Sequence, residues 1–119
     1  MTSDENLGKE ERLLKSADFA RVYKKGLSFK KNSFILASLR NGLARNRLGF
    51  SISSRNIKLA HTRNRIRRLF KEAYRKKKSE LKTGFDIVLI VKKEPGKTFA
   101  YKEADNVLMQ LAETAGLLA

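Results

Sequence analysis

Residues 63–91 read RNRIRRLFKEAYRKKKSELKTGFDIVLIV. The first sixteen carry nine Lys or Arg side chains against one acid, Glu72. Yet Ile66, Leu69, Phe70, Ala73 and Tyr74 fall on one side of a wheel turning about 100° per residue, the pattern of an amphipathic helix. Like charges so close together repel, so a helix built for stability alone would interleave more acids. The last seven residues, FDIVLIV (85–91), are almost unbroken in apolarity and follow the breaker Thr83-Gly84. A strand of that kind belongs in the middle of a sheet, buried on both faces.

Upstream, RLGFSIS (47–53) alternates, with Leu48, Phe50 and Ile52 on one face and Arg47, Gly49, Ser51 and Ser53 on the other. A strand, a long helix and a buried strand make a crossover unit, and Pro95-Gly96 closes it. SFILASL (33–39) reads as an earlier strand and stops at Arg40-Asn41-Gly42, where Asn-Gly favours a turn with positive φ. The polar link 40–47 therefore predicts a hairpin pairing 33–39 with 47–53. LSFKK (27–31) is a further strand. In LLKSADFARVYKKG (13–26), Phe19, Val22 and Tyr23 stand at i, i+3 and i+4, with Ser16 as N-cap and Gly26 past the C-terminus, which reads as a first helix. Ala104, Val107, Leu108, Leu111 and Ala115 mark a last one. Residues 1–11 are polar and aperiodic, a flexible tail ahead of a folded unit over 12–119. The order helix, strands, helix, strand, helix gives a single-domain α+β two-layer sandwich.

The chain has 119 residues, enough for one modest core, and a net charge of +15 with pI near 10.4. Such an excess points to a polyanion, nucleic acid before membrane, because the helix's apolar stripe is committed to the core. With no cysteine, disulfides, thiolate metal sites and cysteine nucleophiles are excluded, and a single histidine, His61, argues against a His-based zinc site or a serine triad. The acids Glu10-Glu11, Asp86, Glu103 and Asp105 form no catalytic or metal-binding set. No signal peptide or spanning segment is visible, so a cytoplasmic protein is expected.

Beside the apolar stripe, Asn64, Arg67, Arg68, Lys71, Arg75 and Lys78 cover an adjoining arc. Arg68, Lys71 and Arg75, at i, i+3 and i+7, set cations roughly 5 Å apart along a rigid rod, a scale on which a phosphate backbone can be matched. Arginine's planar fork suits phosphate oxygens and stacks on bases. The bland alternative is a solvated face on an ordinary helix.

RLGFSIS followed by TRNRIRRLFKEAYR, with RLLKSADFARVYKKG before and GFDIVLIVKK after, resembles the protein component of bacterial ribonuclease P over about Arg12 to Leu111. The resemblance implies a left-handed crossover around the central basic helix, against the usual right-handed rule. It also implies an endoribonuclease subunit that is not catalytic alone. Its partners would be a catalytic RNA, which uses Mg²⁺ to remove the 5′ leader, and the leader of precursor tRNA; neither membrane nor DNA is a partner. Arg63, Asn64, Arg65, Arg67 and Arg68 match the family's Arg-Asn-Arg motif, which meets RNA, and Lys71 and Arg75 extend it. Phe19, Tyr23 and, less directly, Ser28 match positions lining the family's leader cleft. The sequence departs from the family at SSRNIKLAHT (53–62), one residue longer and without its usual glycine, and at Ala37, where an aromatic is usual. A general or ribosomal RNA-binding protein is the main alternative, and a DNA-binding protein is opposed by the lack of helix-turn-helix spacing.

Overall fold

The structure, a computed structural model, describes residues 8–96 and 98–119. Its elements are α1 (Ser16–Lys25), β1 (Leu27–Lys31), β2 (Phe34–Arg40), β3 (Arg47–Ser51), α2 (Ala60–Lys77), β4 (Phe85–Val91) and α3 (Tyr101–Thr114). The strands form one sheet in the order β1-β2-β4-β3. β1 and β2 make a hairpin across Asn32-Ser33, with Asn32 at φ 55°, a conformation asparagine tolerates better than most residues. β4 runs antiparallel to β2 and parallel to β3, so α2 is the crossover joining β3 to its neighbour.

The expected hairpin between 33–39 and 47–53 does not form, because β4 lies between those strands. The reason is burial. Four consecutive β4 residues, Asp86 to Leu89, are buried, and a strand so apolar leaves water only with a hydrogen-bonded neighbour on each side. Asn41, read as a hairpin turn, instead makes an Asx turn, its Oδ1 accepting from Leu43 N–H at 2.8 Å.

Pleating gives the sheet two unlike faces. The row Phe29, Leu36, Leu89 and Phe50 faces α2 and α3 and joins the main core. There Ile66, Phe70, Ala73 and Tyr74 of α2 meet Ala104, Val107, Leu108 and Leu111 of α3, as their spacing foretold. Phe34 packs edge-on to Phe70 at 5.5 Å and stacks on Phe99 at 5.3 Å. The next row, Ser28, Ala37, Val88 and Gly49, points the other way, and α1 seats Val22 upon it. Val22 is the one buried residue of α1. A third row, Lys30, Ile35, Ile90 and Ser51, lies beyond and is only partly covered or exposed.

Of the flexible tail expected over 1–11, residues 1–7 lie outside the described residues, but Lys9–Glu11 form a 3₁₀ turn. Arg45 Nε donates to Glu10 O at 2.9 Å, and Lys78 Nζ meets Glu11 Oε1 at 3.3 Å, so the last part of that segment is tied down.

Candidate nucleic-acid interface

The cations of α2 divide by task. Arg63 donates through Nη1 to the carbonyls of Ile57 at 2.7 Å and Lys58 at 3.0 Å, closing the atypical 53–62 loop over the buried Ile57. Arg65 Nη2 donates to Phe99 O at 2.7 Å and fastens the segment before α3. Arg75 makes two hydrogen bonds to Glu72, at 2.8 and 3.2 Å, and Lys76 Nζ lies 3.6 Å from the same carboxylate and 4.8 Å from the Tyr101 ring centroid. The Arg75 hydrogen bonds hold the Glu72 carboxyl below the usual range. Expected as a rod of outward cations at Arg68, Lys71 and Arg75, the surface is therefore shorter. Arg68 and Lys71 are exposed and carry no hydrogen bond or ion pair among the described residues. One turn earlier Arg67 donates to Asn64 Oδ1 at 2.9 Å, which presents both side chains together.

On the reverse face of the sheet, Phe19 and Tyr23 of α1 stand with ring centroids 6.3 Å apart and planes tilted by 52°. Tyr23 is 47 % exposed, whereas Phe19 is partly buried against Val22 and its neighbours. Phe19 thus serves the small core and the surface at once. Two adjoining hollows, about 300 and 470 Å³, share Leu14, Phe19 and Phe50. One extends to Tyr23 and Ser51, the other to Arg67 and Lys71, so a single groove runs from the aromatic pair to the basic helix. Ser28 lines neither hollow; it is exposed on β1, across the sheet in the same row as Ala37. Ala37 is fully buried beneath α1 and offers no ring to the groove.

Sequence reasoning missed what holds α1 in place. Asp86 is 0 % exposed at the start of β4 and accepts four hydrogen bonds: Arg47 Nε at 2.8 Å, Arg47 Nη2 at 2.8 Å, Arg21 Nη2 at 2.9 Å and Asn41 Nδ2 at 3.0 Å. Asp18 adds contacts of 3.1 Å to Arg21 and 3.6 Å to Arg47. Burial alone would raise the Asp86 carboxyl, but the bonds from Arg47, Asn41 and Arg21 outweigh it and leave the group below its ordinary value. Arg47 is held above its own, mainly by the Asp86 hydrogen bonds. The only hint in the sequence was an acid inside an otherwise apolar strand.

A groove with aromatic walls and a cationic end suits a single nucleic-acid strand, since rings stack on bases and cations track phosphates. No three His, Cys, Asp or Glu side chains converge on a metal-sized point among the described residues, and no described helix is long and apolar enough to cross a membrane.

Comparison with known proteins points the same way. The chain is 35% identical over 108 residues to the ribonuclease P protein component of Alkaliphilus metalliredigens, covering 91% of this chain and 96% of the relative. With that of Clostridioides difficile it shares 39% over 102 residues, covering 85% and 88%. The solved RNase P protein of Staphylococcus aureus superposes with a TM-score of 0.80 at 31% identity, covering 92% of this chain and 98% of that one. That of Thermotoga maritima gives 0.79 at 29% identity, covering 87% and 96%. The family profile described as Ribonuclease P matches residues 7–115, nearly the whole length. With that span matched, and the fold shared over almost all of it, the chain belongs to the ribonuclease P protein family.

Proposed function

We propose that this chain is the protein subunit of ribonuclease P: it docks a catalytic RNA and holds the 5′ leader of precursor tRNA while that RNA cuts the leader away. The observation that carries the proposal is the continuity of the groove, which links Phe19 and Tyr23 to Arg67 and Lys71. An unpaired leader threading it would stack on the rings without regard to base identity and meet the cations at its far end. Arg67, Arg68 and Lys71, with Asn64, then form the direct contact with RNA. Arg63, Arg65 and Arg75 hold that surface in shape through Ile57, Phe99 and Glu72.

Mg²⁺ would serve within the RNA, activating water and stabilising the leaving oxygen. The groove's charged residues are cations, the wrong sign to hold such an ion, so this chain's part is to neutralise phosphates and restrain the leader. No nucleophile with an adjacent base lines the groove.

The test is reconstitution of the full chain with a bacterial ribonuclease P RNA at low Mg²⁺, scoring leader removal from precursor tRNA. The chain should raise the rate, and Phe19→Ala with Tyr23→Ala should weaken binding of leader-bearing tRNA more than of mature tRNA. No stimulation, or cleavage by the purified chain alone, would overturn the proposal. Stimulation with equal losses for the two RNAs would leave a general RNA-binding role and remove the groove from the account.

A further inference from the structure

Gly49 sits on β3 opposite Val88, in the pleat row that α1 covers. A methyl group placed there would come within 2.6 Å of Phe19 Cζ, 3.0 Å of Phe19 Cε1 and 3.0 Å of Leu13 Cβ. The Phe19 ring therefore occupies the volume that any other residue at position 49 would fill. We infer that Gly49 is the positioning residue for the aromatic wall of the groove: its missing side chain is the seat that fixes the Phe19 ring. This rests on the leader-groove reading above.

The reason the seat matters is that α1 has no freedom to yield. Before Phe19, Leu13 N–H donates to Leu48 O at 3.0 Å and pins the chain to β3. After it, Arg21 is bonded to Asp86 at 2.9 Å. Further on, a Cβ at Gly26 would lie 2.5 Å from Ser38 O, so the end of the helix abuts β2 directly. With α1 held on both sides, and Leu13 Cβ giving by a few tenths of an ångström, a side chain at 49 meets the Phe19 ring and is accommodated in one of two ways. Either the helix lifts and strains the Asp86 cluster, or the ring swings off β3 into the groove. Lifting disturbs a buried charge network, so the ring is the part that moves. A displaced ring then blocks the path it formerly lined. In this reading the alternation of RLGFSIS has a second purpose: its glycine is the partner of an aromatic residue thirty positions earlier.

The experiment is a double-mutant cycle in the full chain reconstituted with a bacterial ribonuclease P RNA. Binding is measured for a tRNA with an unpaired 5′ extension and for the same tRNA without it, beside thermal melting of each variant. Gly49→Ala should weaken extension-dependent binding by roughly 5- to 150-fold, the range of one base–aromatic stack, and leave binding of the unextended tRNA unchanged. In a Phe19→Ala background the same change should cost almost nothing, because the ring it displaces is gone. If Phe19→Ala affects both RNAs equally, the groove reading falls and the inference with it. If Phe19→Ala is selective but the Gly49→Ala loss persists undiminished beside it, the inference alone falls. Should Gly49→Ala fail to fold, Gly49→Ala with Phe19→Leu should fold, since leucine lacks the ring tip that meets the new carbon. Failure of that pair as well would show that the glycine serves Leu13 and the fold, and would overturn the inference.

Discussion

Asp86→Asn tests the claim that one buried carboxylate fastens α1 to the sheet. The substitution keeps the size and removes the charge. One carboxylate oxygen becomes an NH₂, a donor facing the donors of Arg47, so at least one of the four hydrogen bonds into the site becomes a clash of like groups. Breaking a buried ion pair by removing one partner costs about 3–5 kcal/mol. Here the lower end applies, because the Arg21 side chain is 41 % exposed, the Arg47 side chain 22 %, and both keep Asp18 as a partner. A loss of about 3 kcal/mol, in a chain of this length, lowers the melting temperature by roughly 10–15 °C.

The pH dependence gives an independent check. The folded Asp86 carboxyl lies below its ordinary value, so its contribution is complete above the unfolded value and vanishes as pH falls through the folded one. Denaturant unfolding should show a wide gap between parent and variant near neutrality that narrows below about pH 4. A loss under about 1 kcal/mol at neutrality would refute the reasoning, since it would place the pair in the class of exposed ion pairs. A gap that stays constant into acid would show that the carboxylate's charge is not what the variant lost.

The cations of α2 should separate by task. Arg68→Ala and Lys71→Ala should weaken assembly with the RNA subunit while changing stability by no more than about 0.5 kcal/mol, as expected of exposed side chains without partners among the described residues. Arg63→Ala should do the reverse, losing about 1–3 kcal/mol in thermal or denaturant unfolding as the Ile57 and Lys58 carbonyls lose a charged donor. An exchange of these two outcomes would remove the division. Affinity for RNA should also fall steeply with salt, by roughly a thousandfold or more between 50 and 200 mM if six or more phosphates are met. A flat response in a filter-binding or fluorescence titration would remove the basic helix from the account.

What the sequence could reveal, and what it could not, follows from how far each property reaches. The stripe Ile66, Phe70, Ala73, Tyr74 and the apolar run 85–91 are local, and both elements stand where their patterns put them. Strand order is not local. Asn41-Gly42 read as a hairpin turn because nothing beside it shows that Asn41 Nδ2 is bonded to a carboxylate forty-five residues away. The same limit governs the cations. By residue type Arg63, Arg65, Arg68 and Arg75 are alike as possible RNA contacts, and the bonds to Ile57, Phe99 and Glu72 tell them apart. Asp86 differs in one respect. With 27 bases against 12 acids, acids are scarce in this chain, and this one stands inside an otherwise apolar central strand. A carboxylate cannot leave water alone, so its position required charged or hydrogen-bonding partners, although nothing local shows that these are Arg47, Arg21 and Asn41. That demand brings α1 across the sheet, sets Phe19 over Gly49, and shapes the groove.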